Sequence, residues 1–511
     1  MCGILFIAQH DPTRIPARLA ERALDRQRWR GPDAQRLVTL DEGRIHLGHN
    51  RLAIMDPTPR ADQPMVSRNG RYSIVFNGEI YNFRALQQRH GLQLQTGSDT
   101  EVLLEGFAAR GEAFIDELEG MFAFVIHDSH SGRWLAARDA LGIKPLYLHR
   151  SRELAVLASE PATVAALVGD APDLQSLQEW KLLRRPVPGR SFFAEVREVL
   201  PGQLVRSAGS QRRFWRLEQH NDRFSDNGFE ELLHSVVREH ETSDVRNTAL
   251  LSGGIDSAVI VAMSQVQRTY SVGLAEANEF DAAADTAQAL QRDLVQVTLG
   301  ADALVQRWCD LTKLRGEPLS LPNEALIHAA CSAMAPDEKV VLTGEGADEL
   351  MFGYDGLYRW ALQAPRFDPN AFLQRYGYAA DVAPTGRFTD WLLELTEGRS
   401  AIDAVEDFFF SFHLPGLLRR MDFASMAASK EARVPFADRR LVDYCYRAPA
   451  AEKISATESK IPLRRALARR QLTGPLNRRK IGFSTLAHPA VHRHDEYRRF
   501  QTHVLKELAW S

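Results

Sequence analysis

The sequence predicts an α+β first half followed by an α/β second half with a doubly wound parallel sheet. Three observations carry this. Up to about residue 200, short strand patterns bounded by turn residues dominate, with few helices between them. From residue 248, strand and helix alternate at βαβ spacing. Between the two, residues 207–227 turn polar and Ser/Gly-containing, so domains are expected over 1–215 and 225–511. A length of 511 residues agrees with more than one domain at ~150 residues each.

In the first half, strands are expected at 3–8, 44–46 continuing into 52–54, 72–76, 122–127, 134–137, 146–149 and 154–158. Helices are expected at 16–26, 83–89 and 101–109, the last opened by Ser98 or Asp99 with Glu101 following. In the second half, the strands are 248–251, 269–273, 294–298 and 339–343, and the helices 258–265, 282–290 and 325–335. From about 355 the chain reads as largely helical and packs beside the sheet.

Composition excludes several classes. With 44% apolar and 25% charged residues the chain is neither disordered, collagen-like nor coiled-coil. Sixty-three basic against 66 acidic residues leave −3, which gives no global field for nucleic acid or a membrane. The apolar runs 4–8 and 122–126 are far shorter than the ~18 residues of a span. The amino end lacks the basic segment of a signal peptide. Cys2, Cys309, Cys331 and Cys445 form no CxxC and no metal spacing, so a cytoplasmic protein with reduced thiols is expected.

Two constellations carry chemistry. Met1 before a small residue is ordinarily trimmed, leaving Cys2 with a thiol and an α-amine on neighbouring atoms. An amine of reference pKa near 8 can accept the thiol proton, making a thiolate that attacks a carbonyl. Asn77-Gly78-Glu79 after the strand 72–76 offers an amide and an N–H for an oxyanion hole. Arg51 could clamp a carboxylate bidentately and Asp99 an ammonium, although each alone reads as a turn or cap residue.

These residues lie in strings that resemble a known family: Met1-Cys2-Gly3-Ile4, Arg30-Gly31-Pro32-Asp33, Gly48-His49-Asn50-Arg51-Leu52, Phe76-Asn77-Gly78-Glu79-Ile80-Tyr81-Asn82, Gly97-Ser98-Asp99-Thr100-Glu101, Gly120-Met121-Phe122-Ala123-Phe124 and Arg138-Asp139-Ala140-Leu141-Gly142-Ile143-Lys144-Pro145. The resemblance is to the glutaminase domain of asparagine synthetase B, a class II, N-terminal-nucleophile glutamine amidotransferase. It implies stacked antiparallel sheets with helices, Cys2 as nucleophile and Asn77 with Gly78 as oxyanion hole. It also implies that Arg51, Leu52, Ile54, Glu79 and Asp99 hold glutamine. Trp29 departs from the family, which usually has His there.

The second constellation is Ser252-Gly253-Gly254-Ile255-Asp256-Ser257, placed after a strand and opening a helix. Two glycines let successive N–H groups approach a phosphate at the helix N-terminus, and the absent Lys excludes a Walker A loop. The string resembles the pyrophosphate loop of ATP pyrophosphatases. A second turn, Gly344-Glu345-Gly346-Ala347-Asp348-Glu349, closes another parallel strand, where carboxylates face the ligand crevice. Asp256 and Asp348 could hold Mg²⁺ on the pyrophosphate.

The resemblance to asparagine synthetase then extends over nearly the whole chain, through Ser425-Met426-Ala427, Glu431-Ala432-Arg433-Val434-Pro435-Phe436, Lys460-Ile461-Pro462-Leu463-Arg464 and Arg478-Arg479-Lys480-Ile481-Gly482-Phe483. It implies an ATP site formed by Leu251, Ser252, Gly253, Gly254, Asp256, Ser257, Val272, Thr343, Gly344 and Glu345. By the same match Lys460 neutralises phosphate charge, and Glu345 lies near the acyl-adenylate and deprotonates ammonia. Within the basic stretch 459–482, whose charges taken blindly are mostly solvated, the strings 460–464 and 478–483 resemble the pattern that bounds that site. Lys430, and Glu317-Pro318-Leu319-Ser320-Leu321-Pro322, depart from the family in segments expected to line the acceptor.

The implied activity is a glutamine-dependent amide synthetase. Its partners are small molecules (glutamine, ATP with Mg²⁺, and a carboxylate acceptor), with neither nucleic acid nor membrane, and it is compatible with a homodimer. Aspartate is the first acceptor expected. The alternatives are another carboxylate, such as a sugar acid or natural-product precursor, and an intramolecular β-lactam- or lasso-type synthetase. The latter commonly lacks the terminal Cys, and its β-lactam type has Tyr where this chain has Glu345.

Overall fold

The structure is a computed structural model and describes residues 2–218, 224–379, 381–478, 493–508 and 510. Two six-stranded antiparallel sheets stack in the first half. The first runs in the order Arg197–Glu198, Tyr147–Arg150, Leu154–Ala158, Cys2–Gln9, Ile45–Arg51, Ala34–Leu40. The second runs Gln211–Arg213, Gln203–Arg206, Arg133–Arg138, Gly120–Asp128, Tyr72–Ile80, Met65–Val66.

Strand alternation sorts the side chains into layers. Ile4, Phe6 and Leu47 of the first sheet meet Val75, Ala123, Val125 and Ala136 of the second in a core between the sheets. Leu5, Ile7 and Val156 point the other way, onto the helices Ala17–Asp25 and Pro161–Val168. Ile74, Phe76 and Phe124 do the same on the outer face of the second sheet, against Phe83–His90 and Asp99–Arg110. The result is helices, sheet, sheet, helices. The central strands are buried on both faces, so they read as continuous apolar runs.

In the second half a five-stranded parallel sheet has the order Asp293–Leu299, Arg268–Leu274, Arg246–Leu250, Glu338–Leu342, Glu431–Arg433. Strand order reverses direction between Arg246–Leu250 and Glu338–Leu342, and such sheets bind ligands beyond the carboxyl ends at that point. Among the described residues, the chain from Asp355 is largely helical apart from the strand Glu431–Arg433. The two predicted fold classes are therefore the observed ones.

Three local expectations are corrected. Residues 52–54 are not a strand: the strand ends at Arg51, and Leu52 and Ile54 are apolar because they pack on Val340 and Met426 of the second half. Asn77, Gly78 and Glu79 lie inside the strand Tyr72–Ile80 rather than after it, opposite Ala123, Phe122 and Met121. A Cβ on Gly78 would lie 2.1 Å from the Met121 carbonyl, so only glycine lets the two strands approach there. Arg51 ends a strand instead of preceding one, and stands directly opposite Cys2.

Candidate active sites in the two halves

Cys2 is buried, and its backbone N–H donates to Asn77 Oδ1 at 2.8 Å. Antiparallel pairing sets this up: Cys2 opens the strand beside Ile45–Arg51, while Asn77 lies on the facing sheet. Burial pushes the Cys2 thiol above its ordinary range, while the Leu52 N–H and the Arg51 guanidinium pull the other way. A thiol held up by desolvation needs a proton acceptor, and the nitrogen of the same residue is the nearest basic group once Met1 is removed. Asn77 Nδ2 is buried without a hydrogen-bond partner, which leaves a fixed donor for an oxyanion.

The other residues expected to hold glutamine gather here with their own engagements. Arg51 donates to Asp62 Oδ1 (2.5 Å), Thr58 O (2.8 Å), Met55 O and Asp56 O (2.5 Å), so its terminal nitrogens organise the loop 52–62. A ligand carboxylate has to exchange with Asp62 to be clamped bidentately. Asp99 Oδ2 accepts from the Ile80 N–H and Oδ1 from the Thr100 N–H, and burial pushes its carboxyl up to about 6. Ser98 caps the helix that starts at Asp99. Glu79 Oε1 is buried and without a partner.

At the switch point of the parallel sheet, the Ser252 hydroxyl accepts from the Gly254 N–H at 3.1 Å and lies 3.0 Å from the Ser257 hydroxyl. Ser257 Oγ also accepts from the Ser252 N–H, and Gly253 N–H donates to Glu279. Asp256 and Ser257 fall in the first turn of the helix Ile255–Met263. A Cβ on Gly344 would lie 2.8 Å from the Asp256 carbonyl carbon and the Ser257 nitrogen, so glycine allows the two turns to touch. Leu251, Ser252 and Val272 line a narrow cleft with Tyr270, Gly273 and Asn278.

Lys460 joins the turns. Its Nζ lies 2.6 and 2.7 Å from the two oxygens of Asp256 and pairs also with Asp348. Its backbone is left-handed at φ 57°, a strained conformation for lysine that aims the side chain under Gly353. There, an added Cβ would fall 1.9 Å from Asp348 Oδ1 and 2.3 Å from Lys460 Cε. Two carboxylates converging on one cation fit Mg²⁺, which takes one or two carboxylates and completes its shell with phosphate oxygens and water. Among the described residues no cluster of three or more His, Cys, Asp or Glu side chains offers a metal a full protein cage. Glu345 pairs with Arg420 at 2.5 Å, yet burial still pushes its carboxyl above the ordinary range.

The structure separates several residues from the sites. Arg465 pairs with Asp226, and Arg469 and Arg470 pair with Glu230, so these charges dock the helix Asp226–Glu239 and are not simply solvated. Arg464 donates to the Ser459 and Leu476 carbonyls. Of the expected basic string, Arg479, Lys480, Ile481, Gly482 and Phe483 lie outside the described residues. Lys430 points to the Ala335 carbonyl at 2.7 Å, at the amino ends of the parallel strands, and does not line an acceptor site. It lies at the end of the sheet opposite the crevice, because it precedes the strand that Arg433 ends. Trp29 packs edge-on against Phe423 across the boundary, with ring centroids 5.4 Å apart.

Sequence reasoning missed the buried charges between the halves. Arg30 donates to the Cys2 carbonyl (3.0 Å), to Glu160 (2.6 Å) and to Asp422 (2.8 Å). Asp422 lies on the helix Leu414–Met426, which also carries Arg420. Arg419 of that helix reaches Glu160 and Glu317. The signal available in sequence was an Arg-Gly-Pro-Asp string, which does not reveal its partner about 390 residues away.

Comparison with known proteins agrees with this division. Residues 1–216 match the glutamine amidotransferase domain family, and residues 228–509 match the asparagine synthase family. A putative glutamine-hydrolyzing asparagine synthetase of Mycobacterium tuberculosis is 28% identical, covering 94% of this chain and 87% of that protein. Glutamine-hydrolyzing asparagine synthetase 3 of Bacillus subtilis is 28% identical over 96% of this chain and 88% of its own length. Amidase chry2 of Gibberella zeae is 30% identical over 86% and 70%. With both domains matched in order, the chain belongs to the asparagine synthase family, carrying a glutamine amidotransferase domain ahead of the synthase domain.

Proposed function

We propose that this chain hydrolyses glutamine at Cys2 and uses the ammonia to amidate an ATP-activated carboxylate, with aspartate, giving asparagine, as the acceptor. The Cys2 thiolate adds to the glutamine side-chain carbonyl, its proton passing to the α-amine of the same residue. Asn77 Nδ2 and the Gly78 N–H stabilise the oxyanion, the amine's proton leaves with ammonia, and water resolves the thioester. Arg51, Glu79 and Asp99, with Leu52 and Ile54, hold the glutamine backbone groups. At the second site the acceptor carboxylate attacks the α-phosphorus of ATP and pyrophosphate leaves. Ammonia then displaces AMP from the acyl carbon, and its extra proton goes to Glu345.

Backbone N–H groups of residues 252–257 cradle the pyrophosphate. Lys460 neutralises the charge that grows as it departs. Asp256 and Asp348 would hold Mg²⁺, which when bound adds positive charge to the phosphates.

The observation that carries the reading is the contact between the sites. Leu52 and Ile54, beside Cys2, pack on Val340 and Met426, beside the acidic turn and the Arg420 helix. This apolar patch in an otherwise charged boundary suits passage of neutral ammonia, which bulk water would protonate and make non-nucleophilic. A second reading keeps the chemistry and changes the acceptor. It is favoured by segment 317–322, which departs from the family and whose Glu317 is tied into a buried pairing with Arg315 and Arg419. A panel of aspartate, sugar acids and amino-acid-derived carboxylates, scored by AMP and pyrophosphate release, tests both. Release with aspartate alone supports the first reading, release with another acid the second, and release with none overturns the synthetase assignment.

A further inference from the structure

The fully buried guanidinium of Arg433 belongs to the synthase half, at the end of the edge strand Glu431–Arg433, yet it reaches the glutamine site. Its Nε donates to Glu431 Oε1 at 2.6 Å, and its Nη1 to the carbonyls of His240 (2.8 Å) and Thr242 (2.5 Å). These three acceptors all lie in the second half and fix the plane of the fork. Nη2 then donates to Glu79 Oε2 at 3.0 Å, across the boundary. The other oxygen of Glu79 is the buried atom without a partner. Burial, with Asp99 beside it, favours the neutral form of Glu79, and Arg433 is the cation opposing that. The backbone carbonyl of Arg433 also accepts from the Thr343 N–H at 3.0 Å, where the acidic turn of the ATP site begins.

We propose that Arg433 is a positioning residue for glutamine, supplied by the other domain: it holds one oxygen of Glu79 so that the free oxygen receives the substrate's α-ammonium. The glutaminase pocket is then complete only when it is docked on the synthase sheet. This rests on the reading of Glu79 as a glutamine ligand. A planar fork anchored on three sides sets one carboxylate rotamer, which a lysine ammonium cannot do.

The test measures glutamine KM and kcat from glutamate release, beside pyrophosphate release driven by ammonium, in two full-length variants. Arg433→Lys keeps the charge and loses the fork. The pair Arg433→Met with Glu431→Gln removes two buried charges together, so that an isolated Glu431 does not unfold the core. Losing a charge-assisted bond predicts a KM rise of about 10-fold or more in the pair and a smaller rise in the Lys variant, with kcat within about threefold. Ammonium-driven pyrophosphate release stays near wild type, because Thr343 is anchored by a backbone carbonyl that neither change removes. An unchanged KM overturns the proposal. So does parallel loss of glutamine affinity and ammonium-driven release, the signature of an arginine that merely supports the fold. A wild-type chain that does not hydrolyse glutamine would overturn the functional reading and this inference with it, whereas a hydrolysing wild type with an unmoved KM in the variants overturns the inference alone.

Discussion

Replacing Lys460 by Ala isolates the charge that joins the two turns of the proposed ATP site. The ammonium bonds both oxygens of Asp256 and one of Asp348, so those carboxylates stand at most about 5 Å apart. At an effective dielectric constant near 20, two negative charges at that spacing repel by about 3 kcal/mol once the cation is gone. The side chains are 7%, 11% and 21% exposed, so water relieves little of this. A departing pyrophosphate adds more negative charge to the same place, and the loss is felt most in the transition state. We expect kcat for ammonium-driven pyrophosphate release to fall about 10²–10³-fold, because ~1.4 kcal/mol is a decade. The KM for ATP should move by no more than about threefold, since the loop N–H groups remain. Lys460→Arg should stay at least about 10-fold down, because a planar fork does not fit under Gly353 as a compact ammonium does. Glutamate release, measured in the same samples, reports that the chain is folded. A pyrophosphate rate within threefold of wild type, or equal loss of glutamate release, would refute the assigned role.

Asp256→Asn and Asp348→Asn should each remove AMP formation while sparing glutamine hydrolysis, because each takes a full negative charge from the proposed Mg²⁺ site while leaving the Lys460 charge beside it. Wild-type pyrophosphate release in either would withdraw that carboxylate from the metal site. A chain that retains Met1, verified by intact mass, should lose glutaminase turnover, since the Cys2 nitrogen is then an amide that cannot take a proton. Full turnover with Met1 attached would exclude the α-amine as base. Asp99 is pushed up to about 6 by burial, and only its ionised form holds an ammonium, so glutamine KM should rise about tenfold per unit as pH falls below 6. A KM for glutamate release that is flat from pH 5 to 8 would remove Asp99 from ammonium binding.

Much of the fold was legible because its central strands are sandwiched. Cys2–Gln9 and Gly120–Asp128 announce themselves as apolar runs, whereas the edge strand Ala34–Leu40 and the short strand Gln203–Arg206, one in from the other sheet's edge, mix polar and apolar residues and escaped notice. Leu52 and Ile54 misled for a related reason: burial under a second domain imitates burial in a sheet. At the sites, the turn proposed to cradle phosphate was readable because its glycines and hydroxyls act locally, within six residues. Lys460 was placed by resemblance, and its bridge to both carboxylates depends on a left-handed backbone no propensity suggests. The charges of Arg30, Arg420 and Arg433 were hidden because a buried arginine is defined by its partners. Those partners, Asp422, Glu345 and Glu79, are supplied by chain 75 to 392 residues away.

The central claim is that one chain holds two separable reactions joined by ammonia. The measurement that tests it most directly is product formation by Cys2→Ala with glutamine and with an ammonium salt as alternative nitrogen sources. The thiol is needed only at the first site, and Cys2 contacts no residue of residues 252–257 or 343–349 among its hydrogen bonds. Amide and pyrophosphate should therefore form at near wild-type rates with ammonium and not at all with glutamine. Loss of both activities in a folded Cys2→Ala protein, or undiminished synthesis from glutamine, would contradict the account.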